Sequence, residues 1–194
     1  MLNSICLKIV EALKEGGLIS QEDKDIYLFG IEIALLKFIH YSSMLIIGAC
    51  FGMILHTIIF IVSYAVLREY AGGYHANTRM HCYLISWVIM ISALLIIKLC
   101  PTKIMLWVSL FSLISAYILI FLMAPIGNTN KPLDPLEQDH YRALARIVAT
   151  AETIIALLLL FINLQLSLTI ALSLIFTSIM LILGSYKSTK QLIV

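Results

Sequence analysis

Charge is scarce in this 194-residue chain: Asp, Glu, Lys and Arg make up 12% of it, against about 25% in soluble domains. With 61% of residues hydrophobic, too little polar surface remains to cover a water-soluble globule, and the chain falls in the membrane class. Dense runs of Lys and Arg are missing as well. A net charge of only +2, with no basic segment of the required density, argues against nucleic acid as a partner. Cysteine is sparse and irregular: Cys6, Cys50, Cys82 and Cys100 form no CxxC. That excludes a disulfide framework and a zinc ribbon, leaving four free thiols as the expectation. No cofactor is implied. A cleavable secretory signal is also missing, because Lys8, Glu11, Lys14 and Glu15 interrupt any apolar core near the N-terminus and no small-residue cleavage site follows. No internal repeat suggests the inverted halves of a transporter.

What is present is a series of near-continuous apolar stretches from about residue 26 onwards, each approaching the roughly 20 residues that a helix needs to cross a bilayer. Spans are expected near 27–47, 48–67, 83–99, 104–124, 144–162 and 166–184. Glu32 and Lys37 make the first the least secure, since a charge at membrane depth faces a partner helix or a polar cavity, and a surface-skimming segment is the alternative. Ahead of these, Leu2, Ile5, Cys6, Ile9, Val10 and Leu13 recur at helical spacing while Asn3, Lys8, Glu11 and Glu15 fall elsewhere on the wheel. This reads as an amphipathic interfacial helix within an N-terminal segment, residues 1–25. Gly16–Gly17 supplies its stop, and Ser20 with Asp23 resembles a capping box starting the next helix. The fold class predicted is an all-α integral membrane protein of about six transmembrane helices behind that N-terminal helix, forming a single polytopic domain over residues 1–194.

The few charges fix an orientation. An even number of spans before the 68–81 loop places Lys8, Lys14, Lys24, Arg68, Arg79, Lys131, Arg142, Lys187 and Lys190 on one side, leaving Lys98 and Lys103 opposite. The positive-inside rule then puts both termini, the 68–81 loop and the 125–142 loop in the cytoplasm of a bacterial cell membrane.

Chemistry-bearing residues crowd into one polar stretch, Arg68-Glu69-Tyr70-Ala71-Gly72-Gly73-Tyr74-His75-Ala76-Asn77-Thr78-Arg79-Met80-His81-Cys82. A thiol attacks as its thiolate, and an imidazole is the side chain best tuned to take its proton near neutral pH. His75 is the favoured base. On one unbroken helix His75 and Cys82 would lie about 10.5 Å apart along the axis, beyond a hydrogen bond. Direct pairing therefore needs a bend, for which Gly72–Gly73 offers unusual backbone angles and Asn77-Thr78 a turn or cap before a helix starting near Arg79. In that helix's first turn a thiol would feel the positive end of the dipole. His81 is the rival base, although adjacent helical positions point about 100° apart. Metal binding by His75, His81 and Cys82 lacks a fourth ligand. The other cysteines read as packing residues, and His40 and His56 as helix-interface or headgroup residues. Glu69 and Asp139 are candidates to orient His75, with Glu69 equally able to pair with Arg68 or Arg79.

The pattern Arg68-xxx-Gly72-Gly73-x-His75-xxxxxx-Cys82 resembles the signature of the accessory gene regulator B (AgrB) family, bacterial membrane endopeptidases that process quorum-sensing propeptides. The similarity extends to chain length, the amphipathic N-terminus, the six spans, and a Pro125…Asn130-Lys131-Pro132-Leu133 segment. The resemblance implies catalysis by Cys82 and His75 in a cytoplasmic segment, residues 68–82, running into the following helix. It implies an AgrD-like propeptide partner with an amphipathic leader, an internal cysteine or serine and an acidic C-terminal tail. Cys82 would cleave before the tail and form a thioester leading to a thiolactone or lactone peptide. A homodimer is implied by the resemblance only. Arg68, Gly72, Gly73, Arg79, Lys131 and Arg142 are the candidate supporting or substrate-binding residues. An acidic tail would be drawn to the basic ones among them, which topology marking alone also explains.

Two other classes compete. A peptide or small-molecule transporter would use Glu32, Lys37 and Glu152 as its polar pathway and leave its cargo chemically unchanged. A non-enzymatic membrane partner or sensor would depend on residues 1–17 and not on Cys82.

Overall fold

A computed structural model describes residues 2–74, 76, 78–127 and 134–193, with the side chains of Leu2, Asn3, Arg79 and 188–193 outside the description. Among the described residues there are seven helices: α1 (Leu2–Glu15), α2 (Lys24–Cys50), α3 (Ile54–Ala71), α4 (Arg79–Leu99), α5 (Thr102–Met123), α6 (Pro135–Ile162) and α7 (Leu164–Ile193). Six of them, α2 to α7, are long and apolar enough to cross a membrane. The chain is an all-α membrane protein with an N-terminal helix ahead of six spans, as its hydropathy predicts.

Two compact units are present, residues 1–46 and 47–194. In the first, α1 stops at Gly16–Gly17, with the Leu18 amide bonded back to the Leu13 carbonyl at 3.0 Å. Ser20 and Asp23 pair as anticipated, hydroxyl to carboxylate at 2.6 Å and amide to hydroxyl at 3.2 Å. They occupy the turn ahead of α2, so the pair closes the connection instead of lying within the helix. Lys24 and Glu11 form a loose ion pair at 3.9 Å. The doubtful first apolar segment is one helix of 27 residues, long enough to span despite Glu32 and Lys37.

The second unit is built around α7, which packs against α3, α4, α5 and α6. Its sequence explains this. Ser167, Thr169, Ala171, Ser173, Thr177 and Ser178 are fully buried, and such small side chains let neighbouring backbones approach where lipid offers no hydrophobic drive for helix association. The hydroxyls do not go unsatisfied: Thr169, Thr177 and Ser178 donate to carbonyls one turn back at 2.8–2.9 Å, and Ser167 reaches across to the Ala156 carbonyl of α6 at 2.8 Å. Larger apolar residues, Leu174 and Leu181, fill the gaps together with Leu67, Leu113 and Ile120. Near the middle of α3, Ser63 donates to the Glu152 carboxylate at 2.8 Å and meets the Ser173 hydroxyl. Three helices are thereby tied by one polar cluster. Glu152, a candidate member of a transport pathway, is a partner in that cluster.

Helix ends follow local chemistry. Asp134 caps α6 by accepting the Glu137 amide at 2.7 Å, with Pro135 in the first helical position. That start lies nine residues before the expected 144, because the polar turns of α6 continue the helix beyond its apolar stretch. Asn163 opens α7, accepting the Gln165 and Leu166 amides at 3.1 Å.

The packing surface of α7 predicts an asymmetry. Ala171 is fully buried whereas Phe111 on α5 is 75% exposed. Ala171→Phe should lower unfolding stability in mixed micelles by about 1–3 kcal/mol through overpacking, while Phe111→Ala should leave the unfolding midpoint nearly unchanged; equal effects would contradict this placement.

Candidate active site

The site is assembled where α3 ends and α4 begins. α3 stops because Gly72 takes φ 70° and ψ −142°, a conformation open to glycine, while its amide still bonds the Arg68 carbonyl at 3.1 Å. Gly73 follows at φ 112°. From there the backbone is held on both sides. Gly72 forms an isolated parallel bridge with Ile126, just beyond the cis Ala124–Pro125 bond, with the Ile126 amide on the Ala71 carbonyl at 3.0 Å and the Gly73 amide on the Ile126 carbonyl at 3.3 Å. On the other side the Tyr74 amide donates to the Met180 carbonyl of α7 at 2.7 Å. This close seating requires Gly184: a Cβ there would lie 2.6 Å from the Gly73 carbonyl carbon and the Tyr74 amide nitrogen. Lys187 lies over the Tyr74 ring at 5.2 Å.

Arg68 completes the clamp. Its guanidinium donates through one terminal nitrogen to the Gly72 carbonyl and through the other to the Tyr74 carbonyl. One fork satisfies two carbonyls of an irregular segment, a geometry that an ammonium does not match. Tyr64 lies one turn before Arg68 on the same face of α3. The Tyr64 ring stacks on Phe60, centroids 5.7 Å apart.

Thr78 caps α4, accepting the His81 amide at 3.3 Å, and the helix begins at Arg79 as anticipated. The Cys82 amide makes an early helical bond, to the Thr78 carbonyl at 3.2 Å. Cys82 is therefore in the first turn, half-buried, its carbonyl accepting from Ser86. His81 Nδ1 is engaged with the Thr78 hydroxyl at 2.6 Å, in the cap itself.

The bridges between Gly72, Ile126 and Met180 gather the α3–α4 connection, the α5–α6 connection and the later part of α7 at one end of this unit. Lys98 belongs to the other end, over the Phe51 ring at 5.8 Å. Of the candidate residues, Arg68, Gly72, Gly73 and Cys82 are brought into one region. His75 and Lys131 lie outside the described residues, as does the side chain of Arg79. Arg142 is bound to Asp139 at 2.8 Å, which engages the carboxylate considered for orienting a histidine. Glu69 is exposed. Among the described residues no group of His, Cys, Asp and Glu is arranged to hold a metal.

A profile for Accessory gene regulator B matches residues 6–181 of the chain. The chain belongs to that family. It is 26% identical over 138 residues to AgrB-like protein 2 of Clostridium perfringens (strain 13 / Type A), covering 69% of this chain and 64% of the relative. An AgrB-like protein of Listeria innocua serovar 6a is 29% identical over 129 residues, 65% of this chain and 61% of that protein. The chain thus spans less than two thirds of the length of these curated relatives. No solved structure matches it.

The sequence reading missed Met180 and Gly184. Gly184 sits more than 100 residues from the loop it receives, and only the folded AgrB-family chain shows why a glycine stands there.

Gly184→Val should push residues 73–74 off α7. Hydrogen exchange followed by mass spectrometry should then show the Tyr74 amide exchanging at least about tenfold faster, the equivalent of 1.4 kcal/mol of lost docking; unchanged protection would mean that α7 does not hold the loop.

Proposed function

We propose that this AgrB-family chain is a membrane-embedded cysteine endopeptidase that removes the acidic C-terminal tail of an AgrD-like autoinducer propeptide. The observation that carries the reading is the placement of Cys82 in the first turn of α4, near a loop anchored from three sides just before His75. A helix N-terminus stabilises negative charge, and so the attacking thiolate, without a neighbouring cation.

In this mechanism His75 takes the thiol proton and the Cys82 sulfur attacks the peptide carbonyl before the tail. Collapse of the tetrahedral adduct expels the tail's amine, which receives the proton from His75, and leaves an acyl-enzyme thioester. Transfer of the acyl group to the propeptide's internal cysteine or serine closes a thiolactone or lactone ring and frees Cys82. The activated bond survives only if the substrate side chain reaches it before water, which favours a recessed thiol at the membrane boundary. Arg68 serves here by holding the loop: its fork is spent on the Gly72 and Tyr74 carbonyls. Attraction of the acidic tail falls to Arg79, Lys131 and Arg142, with both connections facing the cytoplasm.

The test is mass spectrometry of a synthetic AgrD-like propeptide, with an amphipathic leader, an internal cysteine and an acidic tail, after incubation with the full chain in lipid. Wild type should release the tail, whereas Cys82→Ala and His75→Ala should each lose at least about 10³-fold in rate. Tail release undiminished in Cys82→Ala would overturn the mechanism, and passage of the intact peptide across the membrane would favour transport.

A further inference from the structure

The end of α5 carries a polar contact that the peptidase reading does not use, and the sequence shows why it is needed. Pro125 has no N–H, so the Phe121 carbonyl, four residues earlier in the last turn of α5, is denied its helical donor. A bare carbonyl at the edge of a bilayer is costly. The Ala124 amide still closes on the Ile120 carbonyl at 2.9 Å, but the Ile126 amide has left the helix for the Ala71 carbonyl at 3.0 Å. The break that frees Ile126 to bridge Gly72 therefore leaves Phe121 in need of a donor from elsewhere.

Arg146 of α6 is that donor. Its Nη2 donates to the Phe121 carbonyl at 3.0 Å, and its guanidinium carbon lies 4.0 Å from the centroid of the Phe121 ring. Backbone and side chain of one residue are thus held by one cation. Among the described residues Arg146 has no carboxylate partner, in contrast to Arg142 one turn earlier, and its Nε is buried without an acceptor. Such a donor gives up its water without return, whereas a cation that only marked topology would keep it. One turn back along α5 the same helix pair is joined again. The Thr150 hydroxyl donates to the Arg146 carbonyl at 2.7 Å, so in its 3.2 Å contact with Tyr117 the phenol is the donor. That second rung lies within unbroken helix and relieves no orphaned carbonyl.

We propose that Arg146 is a positioning residue for the reaction: by holding the last turn of α5 where Pro125 interrupts it, Arg146 fixes Ile126 and, through it, the Gly72–Gly73 bend that leads to His75. The inference rests on the peptidase reading above. The relay is short. Ile126 accepts the Gly73 amide at 3.3 Å and donates to the Ala71 carbonyl at 3.0 Å, so the bend is held by Arg68 from α3 and by Arg146, through Ile126, from α6. Arg146 acts on the rate through the backbone alone.

The experiment compares wild type, Arg146→Lys, Arg146→Leu and Tyr117→Phe as full chains in lipid vesicles, with Cys82→Ala as the control for the peptidase reading. The substrate is a synthetic peptide with an amphipathic leader, an internal cysteine and an acidic tail. Lysine keeps the charge but is shorter and not planar, and so loses the ring stack and the reach to the Phe121 carbonyl. Tyr117→Phe removes the other rung of the same helix pair. Tail release should fall about tenfold or more in kcat in both Arg146 variants, with KM for Arg146→Lys within about twofold of wild type. The Ile126 and Gly73 amides should exchange at least about tenfold faster in the same variants, while Tyr117→Phe stays within about twofold of wild type in both readouts. If Arg146→Leu does not fold, Arg146→Lys carries the comparison. A kcat within about threefold of wild type in the Arg146 variants would overturn the proposal and leave the peptidase reading standing. A loss confined to KM and absent from Arg146→Lys would make Arg146 an attractor of the acidic tail, and equal losses in Tyr117→Phe would make it one rung of helix packing; either result overturns the positioning role. Failure of wild type to release the tail in a Cys82-dependent manner would reject the peptidase reading, and the positioning role with it.

Discussion

Within the 47–194 unit most of the architecture depends on one surface, the buried, small and hydroxyl-bearing side of α7. In a bilayer, helices gain nothing by hiding leucine from lipid, so association has to come from close packing and from polar groups satisfied between helices. α7 supplies both. Ala171 and Ser173 bring neighbouring backbones near, Ser167 bonds to α6, and Ser173 joins Ser63 and Glu152. Each such bond is worth only about 0.6 kcal/mol on average in measured membrane cases. The steric fit of small residues must therefore contribute a large share, with the polar cluster fixing which helix faces meet.

The same helix continues into the site. At Met180 and Gly184 it stops receiving side chains and receives backbone instead, the Gly73–Tyr74 segment. A change that rotates or shifts α7 thus moves the loop before His75 as well. Ile126 adds a second coupling, because the segment entering the α5–α6 connection is bridged to Gly72. In the proposed mechanism that connection carries Lys131 and meets the acidic tail, so substrate contact and loop geometry share one set of backbone bonds.

Much of this was legible in the sequence, but unevenly. The spans, the α1 stop at Gly16–Gly17 and the start of α4 at Arg79 followed from hydropathy and local capping, which act over a few residues. The stretch from Arg68 at the end of α3 through Gly72 and Gly73 to Cys82 in the first turn of α4 was legible because its residues are near neighbours in sequence and because the pattern resembles that of a family the chain does belong to. What the loop rests on was not legible. Gly184 looks like a helix interior defect, costing about 1 kcal/mol relative to alanine, until the backbone that crosses it is known. Asp139 looked free to orient a histidine, whereas an i, i+3 pairing with Arg142 engages it. Long-range seating and local competition for a charge are both facts of geometry, and neither leaves a periodic trace.

The identity of residue 68 follows from where the loop lies. Backbone that leaves helical geometry at the edge of a bilayer exposes carbonyls with no intrahelical donor, each costly unless satisfied. Three glycine-rich residues cannot supply side-chain partners of their own. Arg68 is one turn back on α3, and its planar fork reaches two of these carbonyls at once. Lysine has one nitrogen and cannot hold two carbonyls of a turn in a fixed relation. A loop of glycines gives the chain its bend, and an arginine makes that bend a single conformation.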